Sequence, residues 1–113
     1  MSDPTGPGRF WADLEIGDGE AVVTLSGALD VSSLPALLRV VVSALDSRPA
    51  ELTLDMSGVT FLDQAGVSGL MSAAEMSAQS GCRIALRGPS VSATQVLRLA
   101  DLDDTLPIER SLD

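Results

Sequence analysis

Between two β-branched segments, Ala21-Val22-Val23-Thr24-Leu25 and Glu51-Leu52-Thr53-Leu54-Asp55, the chain places Leu34, Leu37, Leu38, Val41 and Leu45 at helical spacing. That order constrains the fold more than any other feature. Parallel strands cannot be joined by a tight turn, so a strand–helix–strand run reads as one parallel crossover. Pro35 is tolerated in a first helical turn, and Ser47-Arg48-Pro49 stops the helix.

The pattern then repeats. Ser57-Gly58 reads as a turn, and Val59–Leu62 as a short extended piece that delivers Phe61-Leu62-Asp63-Gln64-Ala65-Gly66. A second helix is expected from about Gln64 to Ser80, with Val67, Leu70, Met71, Ala74 and Ala78 inward and Gly81 behind it as a cap. Cys82–Leu86 is the next strand, and Gly88-Pro89-Ser90 opens a third helix with Ala93, Val96, Leu97 and Ala100 inward. Leu106-Pro107-Ile108 reads as a final strand at a sheet edge, where Pro is acceptable. Upstream, Phe10–Ile16 and Ala21–Leu25 form a hairpin through Gly17-Asp18-Gly19. The order β-β-α-β-α-β-α-β predicts an α/β fold, a mixed sheet of four to five strands with helices packed against it. Residues 1–9 read as a flexible lead-in and residues 10–113 as one domain.

Composition narrows the function. With 113 residues, 45% of them hydrophobic and few aromatic, the chain can fill one modest core from Leu, Val, Ala and Met. Its formal charge is −9 and all seven cations are Arg. Such a surface repels phosphate backbones and anionic lipid, so neither nucleic acid nor a membrane is expected as a direct partner. The absence of His removes Ser-His-Asp and Cys-His nucleophilic sites and the usual general base. The single Cys82 cannot form an internal disulfide and reads as a buried thiol, which fits a reducing cytosol. The N-terminus lacks the apolar core of a signal peptide, and the run around Val40-Val41-Val42 is too short to span a bilayer. A soluble, cytoplasmic protein is expected.

Two loops that follow strands carry an acid, Asp30 and Asp63, one crossover apart, so both can lie on the ligand-bearing edge of the sheet. Taken alone, Asp63 reads as a helix N-cap and Gly66 as a point of close backbone approach. A paired-carboxylate hydrolase would need a cleft, and no long loop is present to build one. Phosphate cradling and an aspartyl-phosphate receiver (with Asp55 as acceptor) both want a Lys that the chain lacks. Asp101, Asp103 and Asp104 read as a solvated turn before a metal site. No catalytic residue, metal or cofactor is expected.

Leu25-Ser26-Gly27-Ala28-Leu29-Asp30 resembles the L-x-G-x-L-D segment of STAS domains, and FLDQAG resembles their F-[LM]-D-S-[ST]-G segment. The resemblance covers about residues 10–110 and is nearest the small bacterial anti-sigma-factor antagonists. It implies a module that binds an anti-sigma factor of the GHKL serine-kinase type and so releases a sigma factor. It also implies docking through Asp30, Ser32 and Ser33 in one loop and Asp63, Gln64, Ala65 and Gly66 in the other. To these we add Gly69, Ser72, Ala73 and Met76, expected as an exposed stripe of small and adaptable residues on the second helix. Gln64 departs from the family. It occupies the phosphoserine position, with Ala65 beside it, and an amide offers no hydroxyl and carries no charge. The closing helix of the family is expected to be short or absent, since only Glu109–Asp113 remain for it. An alternative is a cytoplasmic STAS subunit of an ABC-type lipid transport assembly.

Overall fold

The hairpin forms where its turn chemistry predicts. In the computed structural model, which describes residues 9–100 and the backbone of residues 108–109, strand β1 (Trp11–Gly17) runs antiparallel to β2 (Glu20–Leu29). The turn between them uses Gly19 at φ +73°, a conformation that costs a residue without Cβ little. A single 3-10 turn (Val31–Ser33) leads into helix α1 (Leu34–Asp46), then β3 (Glu51–Leu62), α2 (Gln64–Gln79), β4 (Arg83–Arg87), α3 (Val91–Leu99) and a two-residue β5 (Ile108–Glu109). The lead-in at residues 1–8 and the Asp101, Asp103 and Asp104 segment lie outside the described residues.

The sheet order is β1-β2-β3-β4-β5, with every pair after the hairpin parallel. Each crossover therefore steps the same way, and right-handed connections then put α1, α2 and α3 on one face. Burial agrees. Val23 and Leu25, Leu52, Leu54 and Met56, Ile84 and Leu86 turn into one cluster with Leu37, Val41, Leu70 and Leu97. Each fully buried Leu contributes about 1.5–3 kcal/mol.

Three expectations are corrected here. Ser57-Gly58 is no turn: β3 runs unbroken for 12 residues and absorbs two register slips against β2, between Thr24 and Ser26 and between Gly27 and Ala28. Gly58 sits in the first of them because a Cβ there would come within 2.6 Å of Ser26 Oγ. In α1, the buried positions are Leu37, Val41 and Ala44, while Leu38 is only half-buried. In α2, Met71 and Ala78 point outward, and the buried face is Gly66, Val67, Gly69, Leu70, Ala73, Ala74 and Ser77.

The expected last strand is present as Ile108–Glu109, paired in parallel with Leu86 and Arg87. The third helix is only nine residues long, opened by Ser90 Oγ accepting the Ala93 N–H at 3.1 Å. Cys82 is a buried free thiol. Burial pushes its pKa up, as does the nearby Glu51 carboxylate, against a smaller opposing effect of Arg83.

Candidate functional site

The last register pair of β2 and β3 is Leu29 with Leu62, so Asp30 and Asp63 leave adjacent parallel strands at the same level. Their backbones stand about 5 Å apart, the spacing of neighbouring strands. The shared edge inferred for these loops is therefore real.

Both carboxylates do the same backbone work. Each Asp is extended, and each uses its Oδ1 to take a free N–H of the turn that follows. Asp63 Oδ1 accepts the Gly66 N–H at 3.0 Å, which satisfies one of the orphan donors at the start of α2. Asp30 Oδ1 accepts the Ser32 N–H at 3.0 Å and the Ser32 hydroxyl at 2.7 Å, with the Ser33 hydroxyl at 3.3 Å. The Ser32 hydroxyl, above all, holds the Asp30 carboxyl below its ordinary range; desolvation, the next largest influence, works the other way.

The Asp63 loop is pressed onto its neighbour. A Cβ on Gly66 would collide with the Leu29 carbonyl oxygen and lie 2.8 Å from Leu62 Cδ1. Only glycine lets the first turn of α2 sit this close to the end of β2.

The expected docking residues divide sharply. Ser32 and Gln64 are exposed, and Asp30, Asp63 and Ala65 beside them are half-exposed, as is Ser72 two turns along α2. Ser33 is buried, its hydroxyl donating to the Ala28 carbonyl, so it ties the loop to the strand. Gly66 is buried under the same strand end. Gly69 and Ala73 are not on an outer stripe: they form the seam between α1 and α2. A Cβ on Gly69 would strike Leu34 Cδ2 and stand 3.1 Å from Leu37 Cδ2. Met76 packs partly against the core and lines a groove of about 460 Å³ with Val42, Leu45 and Arg48. Twelve residues along the helix from Gln64, it is about 18 Å away at the other end.

The true outer face of α2 is Gln64, Ser68, Met71 and Glu75. Two exposed apolar side chains flank the two acids in sequence, Val31 directly after Asp30 and Phe61 two residues before Asp63. Phe61 alternates with the core-facing Leu62, so it points to the sheet face away from the helices. The sequence reading missed these residues. The signal was available: Gln64, Ser68, Met71 and Glu75 follow i, i+4, i+7, i+11, the spacing of a single helix face. No cluster of three or more potential metal ligands occurs among the described residues.

The family model described as Mlab, STAS domain matches residues 12–109, and the chain belongs to this STAS family. Among solved structures, an anti-sigma factor antagonist from Mycobacterium paratuberculosis is similar at 27% identity and TM-score 0.83, covering 96% of this chain and 92% of that one. The phosphorylated form of the Bacillus cell-fate determinant SpoIIAA is similar at 17% identity and TM-score 0.69, over 91% of this chain and 93% of that one. A murine solute-carrier anion transporter shares the fold at 22% identity and TM-score 0.71, over 83% of this chain but 16% of its own length. The last two likenesses concern fold alone. No curated protein sequence matches significantly.

Proposed function

We propose that this protein is an anti-sigma-factor antagonist, a regulatory binding module that docks on an anti-sigma factor of the GHKL serine-kinase type and so frees a sigma factor. The carrying observation is the shared edge. Asp30 and Asp63 leave neighbouring strands together, and the exposed start of α2 stands beside them. The similarity to the mycobacterial antagonist along nearly the whole of both chains supports this reading.

The docking surface we assign is Asp30, Ser32, Asp63, Gln64, Ala65 and Ser72, extended by Ser68, Met71 and Val31. Exposed apolar groups with carboxylates beside them, Val31 after Asp30 and Met71 one helical turn from Glu75, suit a partner that brings an apolar surface rimmed by Arg or Lys. Gln64 makes its own position unable to accept phosphate, and its neutral amide adds no charge there. A cytoplasmic site of action goes with this role.

The test is titration of the wild type, Gln64→Ser and Gln64→Glu against the anti-sigma factor recovered with the tagged chain. Gln64→Glu adds one charge among carboxylates and should weaken binding by roughly 1 kcal/mol or more. Unchanged affinity would place the partner elsewhere. Recovery of an ATPase with a permease, in place of a kinase-type anti-sigma factor, would favour the transport-assembly role.

A further inference from the structure

We propose that Ser32 is the phosphoacceptor of this protein, so that the hydroxyl missing from the Asp63 loop is supplied by the loop next to it. The proposal rests on the antagonist reading and assigns the regulation of that same edge.

The two loops stand on adjacent strands, and the one beginning at Asp63 offers only an amide and a methyl group, at Gln64 and Ala65. The one beginning at Asp30 offers two hydroxyls. Ser33 is buried and spends its hydroxyl on the Ala28 carbonyl, so no kinase can reach it. Ser32 is exposed, lies in a one-turn segment outside regular helix, and presents its Oγ to Asp30 Oδ1 at 2.7 Å.

Phosphorylation there would do more than add bulk. A serine kinase using Mg-ATP forms the bond from Ser32 Oγ to the γ-phosphorus as the bond to the bridging oxygen of ADP breaks. The hydroxyl proton goes to the kinase's general base, and ADP leaves. The Asp30 carboxylate then loses its shortest donor and faces a group of charge about −1.5 to −2 in its place. That carboxylate also holds the Ser32 N–H and reaches the Ser33 hydroxyl, so its displacement loosens the turn at Ser32, while the Ser33 N–H stays on the Asp30 carbonyl and the Ser33 hydroxyl on the Ala28 carbonyl. The partner meets a rearranged, more negative edge directly beside Asp63.

Three hydroxyls on β3 and α2 compete, and the first, Thr60, is exposed but held inside the body of β3. Ser57 has the same local geometry as Ser32, with its N–H at 3.0 Å and its hydroxyl at 2.7 Å from Asp55 Oδ1. It lies within β3, at the first register slip and well before the strand's end at Leu62. Ser68 is exposed but one turn inside α2, where its backbone is committed to the helix.

The experiment uses the full chain, tagged and recovered with its bound partner from its own cells, then given Mg-ATP. Phosphate is located by fragment mass in wild type, Ser32→Ala, Ser32→Thr and Ser57→Ala. We expect one phosphoryl group on Ser32, lost in Ser32→Ala, kept in Ser57→Ala and restored as phosphothreonine in Ser32→Thr. Binding of the phosphorylated chain should weaken about tenfold or more. A complex that forms but leaves Ser32 unmodified overturns the assignment while the antagonist reading stands, as does phosphate found instead on Ser57, Thr60, Ser68 or any other hydroxyl. A chain that captures no anti-sigma factor overturns the antagonist reading. In that event, the mass of the chain isolated directly from its cells still decides whether Ser32 carries phosphate.

Discussion

The Asp30 and Asp63 loops begin alike and end differently. Each follows a parallel strand, each starts with an extended Asp, and each Asp caps the turn behind it. After Asp63 the chain enters a 16-residue helix whose first turn is wedged against Leu29. After Asp30 it makes one 3-10 turn and then starts α1 at Leu34 with Pro35 in its first turn. The Asp63 loop is fixed by packing and the Asp30 loop by hydrogen bonds, three donors to one carboxylate oxygen and the Ser33 hydroxyl to the Ala28 carbonyl. A packed loop makes a rigid docking platform. One held largely through a half-exposed carboxylate is open to change by charge.

The largest expected effect breaks the packed side. Gly66→Ala sets a Cβ against the Leu29 carbonyl oxygen and Leu62 Cδ1, with backbone on one side and a core side chain on the other. Neither moves cheaply, and the substitution should cost about 3 kcal/mol in urea melts. A loss below about 1 kcal/mol would mean that α2 can shift away from β2, and the loop is less rigid than the contrast requires.

Next come the caps themselves. Asp63→Ala frees the Gly66 N–H at the head of α2 and should cost about 1 kcal/mol, the usual worth of an N-cap. Asp30→Ala should cost less, because it releases a three-residue turn whose Ser32 donors can turn to water. Denaturant melts of the two variants rank them directly. The reverse order would show that the Asp30 turn anchors α1, contrary to its exposed position.

These differences also mark what the sequence could and could not reveal. Turn glycines, helical periodicity and the two acids were all readable, and they placed both loops on one edge. The orientation of α2 was not. Gly69 and Ala73, four residues apart, suit a close-docking partner and a close-packed neighbouring helix equally well. Here the neighbour is α1 of the same chain, and the sequence of α2 alone contains no trace of Leu34 and Leu37 bearing on it. The two slips in β3 were hidden for a similar reason. Ser57-Gly58 has turn composition, but only pairing with Ser26 shows that it is an extra residue in a continuous strand. Ser33 was misplaced because adjacent serines look the same until one of them turns inward.

The smallest effect is a titration that isolates the hydrogen-bonded side. In the folded chain, the Ser32 hydroxyl most strongly favours ionised Asp30; desolvation opposes it, and the Ser32 N–H and then the Ser33 donors add to it, so that the pKa lies below 3.8. A lowered value means that the folded state holds the carboxylate more tightly than the unfolded state does. The stabilisation is therefore complete above 3.8 and fades as pH falls through the lower folded-state value. Removing the main donor should reverse part of this. In Ser32→Ala, the side-chain carboxyl carbon of Asp30 should titrate at a higher pH than in wild type, moving toward 3.8. Ser33→Ala should move it the same way by less, since the Ser33 hydroxyl is farther away at 3.3 Å and is shared with the Ala28 carbonyl. Carbon-detected NMR from pH 2 to 6 reads both variants across the ordinary carboxylate range, about 3.9 for Asp. An Asp30 midpoint that ignores Ser32→Ala would show that this hydroxyl does not hold the carboxylate. Its replacement by phosphate would then have no cap to break.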